Sequence, residues 1–324
     1  MEHFVTLFDS LFLPQGLALH RSMERHIQKY TLWILCVDDV AYDVLLTLAM
    51  PNVRLLELAK LETAELLRVK QDRTIAEYCW TLTPFAPRFV FDADLSVFRV
   101  TYVDADLWFR KNPAAIFCEF EESGKQVLIT DHAYAPEYDQ SATSGQYCVQ
   151  FMTFTREGGE AVRKWWEEKC VEWCYARMDD GRFGDQKYLD DWPERFLDSV
   201  HVLDHQDLMQ APWNASRFPY SRAVAYHFHG LRLIEGGRVL LAPNYSLPKA
   251  VVENVYKVYL QDFAYAIHNL KEISFDVRVQ AAKPGLLSWL KAMLRLPYQN
   301  LWRLWVNRVL ALSSGYSHAW NGWR

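Results

Sequence analysis

The segment Arg99-Val100-Thr101-Tyr102-Val103-Asp104-Ala105-Asp106-Leu107-Trp108-Phe109 decides how the rest of the chain is read. A β-branched and aromatic run, residues 100–103, ends in two carboxylates one residue apart, and an apolar tripeptide follows at once. Such a run predicts a buried strand. In open α/β sheets, ligands bind just outside the carboxyl ends of the strands. Two like charges this close repel, so a cation between them is the natural reason for both to stay ionised. Asp104 and Asp106 are therefore a candidate divalent-metal pair.

Upstream of this segment, residues 4–8 predict a first strand that stops at Asp9 and Ser10, and residues 17–28 have helical periodicity. Residues 31–37 form a continuous apolar run, the pattern of a strand buried on both faces in a parallel sheet. Residues 44–50 predict a short helix stopped by Pro51. A strand over 53–58, a charged helix through Lys70 and a helix over 75–80 come next. Downstream, residues 127–131 and 147–155 predict strands, and residues 159–177 a tryptophan-rich helix. Residues 184–192 read as a polar loop or helix start, 200–203 as a short strand and 224–229 as the last strand of the body. Strands alternating with helices, with acids at strand ends, predict an α/β architecture built on an open, twisted, Rossmann-like sheet flanked by helices.

A chain of 324 residues with 51% hydrophobic and 23% charged residues has enough apolar material for a large core. Its net charge of -5 argues against a general nucleic-acid binder. The charge is uneven. No acid follows Asp276, whereas Arg278, Lys283, Lys291, Arg295, Arg303, Arg308 and Arg324 are all basic. Residues 1–279 are thus read as one domain, and residues 280–324 as a basic, aromatic extension of amphipathic helices. Trp289, Trp302 and Trp305 beside its basic residues fit either an anionic membrane surface or helices packed on the body. The six scattered cysteines predict buried thiols in a reducing compartment. With no basic leader, no long apolar core and no membrane-spanning run, the expected location is cytoplasmic, peripheral at the inner face of the membrane.

Three further features bear on chemistry. The tetrapeptide Asp92-Ala93-Asp94-Leu95 repeats Asp104-Ala105-Asp106-Leu107, but it lies between two apolar runs, where a turn or helix cap explains it fully. In Tyr226-His227-Phe228-His229-Gly230, a strand would turn both imidazoles to one face, and Gly230 permits a close backbone approach. That pair suits a zinc pair, a metal ligand with a neighbour, or ordinary half-buried histidines. Finally, Gly184-Asp185-Gln186 places an acceptor and an amide after a tight turn, which also suits a plain helix start.

In this order, these motifs resemble a GT-A-type glycosyltransferase, the nucleotide-diphospho-sugar transferases, with most similarity to glycosyltransferase family 8 and related bacterial surface-polysaccharide enzymes. The matching residues are the strand over 4–9, Tyr102 to Leu107, Gly184-Asp185-Gln186 and His227-Phe228-His229-Gly230. The resemblance implies that Asp104, Asp106 and His227 hold Mn²⁺ or Mg²⁺, with Asp104 also touching the donor. It implies catalytic positions for Asp185, on donor-sugar hydroxyls, and Gln186, near the anomeric carbon. Thr6 and Asp9 would line the nucleotide, Asp131 the sugar, and Arg73 and Arg232 the phosphates. The implied reaction moves a sugar from a nucleotide-diphosphate donor, a UDP-sugar, to a saccharide or lipid-linked acceptor, with retention.

Two departures stand out. Leu231-Arg232-Leu233 replaces the family's lysine-proline-tryptophan segment, and Cys148 and Gln150 stand where many relatives carry asparagine with a small residue. Two other readings share the residues: a metal-dependent hydrolase using His227 and His229, and a non-catalytic sugar-nucleotide-binding relative. The duplicated tetrapeptide supplies an internal control. Asp104→Asn should abolish metal-dependent UDP binding in calorimetry, and Asp92→Asn should leave it unchanged; equal losses would contradict the choice between the copies.

Overall fold

The computed structural model describes residues 1–234 and 237–279. Strand β1 (Glu2–Phe8) leads into helix α1 (Leu13–His26), then β2 (Tyr30–Cys36), α2 (Asp39–Leu48) and β3 (Val53–Glu57). Helices α3 (Ala64–Lys70), α4 (Ile75–Leu82) and α5 (Phe85–Ala93) precede β4 (Arg99–Val103) and the short β5 (Leu107–Phe109). Next come α6 (Ala114–Ser123), β6 (Val127–Asp131), the one-turn α7 (Ser141–Ser144) and β7 (Tyr147–Thr155). They are followed by α8 (Glu160–Glu172), α9 (Trp192–Arg195) and β8 (Val200–Val202). The last described elements are β9 (Met209–Gln210), β10 (Ala225–His227), β11 (Arg232–Ile234), β12 (Arg238–Leu240), α10 (Lys249–Val251) and α11 (Lys257–Glu272). A π-helical turn, Val252–Tyr256, joins α10 to α11.

Seven strands form the main sheet in the order β3-β2-β1-β4-β7-β6-β8. Neighbours from β3 to β4 are parallel, as are β6 and β8, while β7 runs antiparallel to both β4 and β6. Side chains alternate across this sheet. Val5, Leu7, Val100 and Tyr102 pack under α4, α5 and α8, whereas Phe4, Phe8 and Val103 pack under α1, α2 and α6. Burial on both faces is why the central strands are uninterrupted apolar runs.

A small second sheet, β5-β10-β9, grows from the end of β4. Antiparallel pairing sets Leu107 opposite His227 and Trp108 opposite Tyr226. The hairpin of β11 and β12 follows. Strand β10 is therefore not the last strand of the body, as the sequence suggested. The tight turn at Gly230, with φ at +79°, sends the chain back into a hairpin whose strands are only three residues long. Helix α5 is likewise absent from the sequence reading. Pro84 caps it and Pro87 lies in its first turn, where a missing N–H breaks no helical hydrogen bond.

The duplicate tetrapeptide closes α5. Asp92 is exposed beside Arg88, and Asp94 accepts from the backbone N and Oγ of Ser96 at 3.0 and 2.6 Å. All six cysteines are free thiols; Cys118 is exposed, not buried as the sequence suggested, because it lies on the outer face of α6. Among the described residues, no helix is long and apolar enough to cross a membrane. The amphipathic extension read in residues 280–324 lies outside the described residues.

Helix α11 is tied to the rest through one buried acid. Asp262 accepts from Arg21 Nε at 2.9 Å, from both terminal nitrogens of Arg25 and from Trp108 Nε1 at 2.7 Å. Trp108 belongs to β5, so this junction braces the strand that follows the acid pair. Asp262→Ala strands the Trp108 N–H and two guanidinium groups, and should lower unfolding free energy by about 2–4 kcal/mol in urea titrations. A change within ~0.5 kcal/mol would contradict the bracing role.

Candidate metal and donor site

Strand β4 ends at Val103, and the chain turns within two residues: Leu107 N donates to Asp104 O at 3.0 Å. Asp104 N is held by Gln150 O at 3.1 Å, and Phe228 N by Asp106 O at 2.9 Å. The backbone alone therefore ties the acid pair to β7 on one side and to β10 on the other. The side chains then converge. His227 Nε2 lies 3.0 Å from Asp106 Oδ1 and 3.7 Å from Asp104 Oδ2. One donor atom from each of the three residues fits within a span of 4.8 Å. Two carboxylates and one imidazole around a common point make a donor set for a hard to borderline divalent ion.

The outer contacts orient these ligands. His227 Nδ1 meets Gln150 Oε1 at 3.0 Å. Donation from Nδ1–H to that carbonyl fixes the ring so that Nε2 faces the acid pair; in the neutral ring its lone pair would be free for a metal there, the usual arrangement behind a metal-bound histidine. Tyr102 donates its hydroxyl to Asp104 Oδ1 at 2.9 Å. Cys148 also borders His227. Gln150 and Cys148 make up one of the two departures from the family pattern, and both border His227. An amide within an apolar strand gives no sequence signal for this, because its partner lies 77 positions away.

Electrostatics follow from the geometry. Burial would raise the Asp106 carboxyl, but the His227 imidazole beside it outweighs that and brings it down to about 2. Burial pushes Asp104 upward, and Asp106 adds to this against the pull of His227. For His227, burial works against the charged form, yet Asp106 holds the imidazole well above its ordinary value. The neighbouring His229 is exposed as a residue, while desolvation at its ring and then the charge of His227 push the imidazole down to about 4. His229 thus stands as a neutral ring 5.8 Å from His227, against Trp213 and Tyr245.

Asp185 sits in the same field. It is buried, its Oδ2 has no hydrogen-bond partner, and burial followed by repulsion from Asp104 raises its carboxyl to about 7. The left-handed backbone of Gly184, with φ at +55°, makes the turn before it. Gln186 Nε2 donates to Ser144 O at 2.8 Å. Arg232, just past the Gly230 turn, lowers the Asp106 carboxyl further and stacks over Phe12 at 5.5 Å.

Asp9 accepts from Leu11 N and is raised by burial, then by Asp38. Asp38 itself caps α2 through Ala41 N and grips Ser10 through both its N and Oγ. Thr6 is fully buried in β1, its hydroxyl unpartnered. Arg73 spends its terminal nitrogens on Thr81 Oγ1 and Val171 O. Asp131 accepts from Ala133 N at one oxygen and from Gln146 and Gln206 at the other. The fold thus brings Asp104, Asp106, His227, Asp185 and Arg232 together, while Arg73 and Asp131 are occupied by protein partners.

No family model matches the chain. It is 30% identical over 278 residues to the uncharacterised Bacillus subtilis protein YfnD, covering 80% of this chain and 87% of YfnD. The chain belongs to the YfnD family. The Bacillus subtilis protein YfnF, also uncharacterised, is 27% identical over 299 residues, covering 86% of this chain and 97% of YfnF. Among solved structures, the chain superposes on the galactosyltransferase LgtC, solved with donor and acceptor sugar analogues. The TM-score is 0.51 at 10% identity, with 81% of this chain and 95% of LgtC covered. This member of the YfnD family therefore has the GT-A fold of nucleotide-sugar transferases.

The raised Asp185 has a thermodynamic consequence. Its carboxyl titrates near 7 when folded and near 3.8 when exposed, so between those values the folded chain binds the extra proton. Stability falls as pH rises through that window. In EDTA, wild type should lose about 3 kcal/mol more than Asp185→Asn between pH 5 and pH 8. Parallel pH profiles in urea unfolding would contradict the assignment.

Proposed function

We propose that the chain is a metal-dependent glycosyltransferase that moves a sugar from a UDP-sugar to a saccharide or lipid-linked acceptor, with retention at the anomeric carbon. The observation that carries the proposal is the convergence of Asp104, Asp106 and His227 at the carboxyl end of a GT-A strand. LgtC, which shares the fold, was solved with donor and acceptor sugar analogues. The donor set suits Mn²⁺ or Mg²⁺, and when bound the ion neutralises the charge that develops on a departing diphosphate.

The residues divide the remaining work. Asp104, Asp106 and His227 hold the ion, and Gln150 keeps Nε2 of His227 turned toward it. Arg232 meets the diphosphate, taking the place of the family's missing lysine. Asp185, buried and short of a partner, accepts from donor-sugar hydroxyls. Gln186 stands near the anomeric carbon, and Thr6 and Asp9 line the nucleoside. Arg73 and Asp131 enter as braces of neighbouring segments, since the terminal nitrogens of Arg73 and both oxygens of Asp131 already have protein partners. The basic residues beyond 279 would meet an anionic membrane surface where a lipid-linked acceptor is found.

His229 is solvent-exposed and stands outside the group formed by Asp104, Asp106 and His227, which weighs against a hydrolase built on a histidine pair. The deciding experiment is a panel of nucleotide-sugars screened for thermal stabilisation, hydrolysis and transfer. One UDP-sugar should raise the melting temperature with Mn²⁺ present and not in EDTA, and should be turned over slowly by wild type. Stabilisation that is absent for every nucleotide-sugar, or equal without metal, contradicts the proposal.

A further inference from the structure

On the opposite end of the sheet from β3, a second group of ligating side chains lies outside the site described above. His201 is the middle residue of the edge strand β8 and pairs opposite Leu128, on the sheet face covered by α6. Asp204 and His205 follow within four positions, and Glu119 comes from α6. His201 Nε2 lies 2.8 Å from Glu119 Oε1, and His205 Nδ1 2.5 Å from Glu119 Oε2. The backbone N of Asp204 also donates to Glu119 Oε1, at 2.6 Å. Three donors thus crowd one half-buried carboxylate. One ligand atom each from Glu119, His201 and Asp204 falls within a span of 4.8 Å.

We propose that Glu119, His201, Asp204 and His205 form a second metal site, selective for Zn²⁺-like ions and structural in role. Two imidazoles with two carboxylates are a borderline donor set, softer than the single imidazole and two carboxylates around Asp104. Tetrahedral zinc with ligands at about 2.0–2.1 Å needs donor atoms about 3.4 Å apart; Glu119, His201 and Asp204 already offer atoms within 4.8 Å of one another, and His205 joins them through Glu119 at 2.5 Å. The ion would bridge α6 to an edge strand only three residues long. It would also fix the loop whose Gln206 reaches Asp131 and whose Asp207 pairs with Arg222 at 2.6 Å. In the sequence, the signal is His201-Val202-Leu203-Asp204-His205, with its fourth member 82 positions upstream of His201.

The alternative is a metal-free cluster of histidine–glutamate ion pairs, and the two differ in a direct measurement. Full-length protein carrying Asp104→Asn and Asp106→Asn retains this cluster alone of the two. After treatment with EDTA and its removal, that protein should bind one equivalent of Zn²⁺ and should melt at a higher temperature with Zn²⁺ than without. Co²⁺ in its place should give the visible absorption of a low-symmetry, nitrogen-containing site. His205 is 61% exposed, so His205→Ala preserves the fold; it should weaken Zn²⁺ binding at least about tenfold, the least that even an outer-shell change usually costs. Glu119→Gln should remove it. Absence of stoichiometric Zn²⁺, or equal binding in both variants, overturns the proposal.

Discussion

The contact between His227 Nε2 and Asp106 Oδ1, at 3.0 Å, is the constraint on which the candidate site depends. Asp104 and Asp106 are one residue apart in sequence, and any strand end could supply such a pair. His227 is brought in from 121 positions away by antiparallel pairing of β5 with β10, and that pairing requires β5 to start within a residue of the second acid. Two half-buried carboxylates this close stay ionised together beside a cation; otherwise one of them takes up a proton. In the protein alone, the imidazole supplies that charge, which is why Asp106 is driven down while His227 is driven up. A divalent ion would replace it, and His227 would then ligate as the neutral ring with its other nitrogen on Gln150.

The reversed strand β7 carries the second half of the arrangement. Because it runs against β4, its backbone carbonyl at Gln150 caps Asp104 N while its side chain reaches His227. Some of this comes at a cost in stability. Gln150 Nε2 and Asp185 Oδ2 are buried without partners, and each is a group that water would otherwise solvate. The Asp262 junction offsets part of that cost from behind, holding Trp108 and so the strand on which the acid pair empties.

Much of the fold was legible because the main sheet is buried on both faces. Strands β2, β6 and β7 are long apolar runs, and their limits fall within a residue or so of the pattern. Helix α5 escaped because Pro84 and Pro87 read as breakers, although a helix's first turn accepts them. The β11–β12 hairpin escaped because two three-residue strands carry almost no periodicity, whereas α11 went unread although Tyr259, Leu260, Phe263, Ala266, Ile267 and Leu270 form a clear apolar face. For the site, Asp104, Asp106 and His227 were legible through motif order, since each sits at a strand end whose spacing is visible. Gln150 was visible only as a departure, because its meaning depends on a partner in another strand. Arg73 and Asp131 carry the right charge, but their partners Thr81, Val171, Gln146 and Gln206 are tertiary facts.

The central claim is that His227 is a metal ligand together with the acid pair. Pulsed electron paramagnetic resonance on the full-length protein with Mn²⁺ and UDP addresses it without relying on turnover. The account predicts coupling from one directly bound imidazole nitrogen, lost in His227→Asn while Mn²⁺ stays bound more weakly. A spectrum with oxygen ligands alone in wild type, or a nitrogen signal that survives His227→Asn, would contradict it.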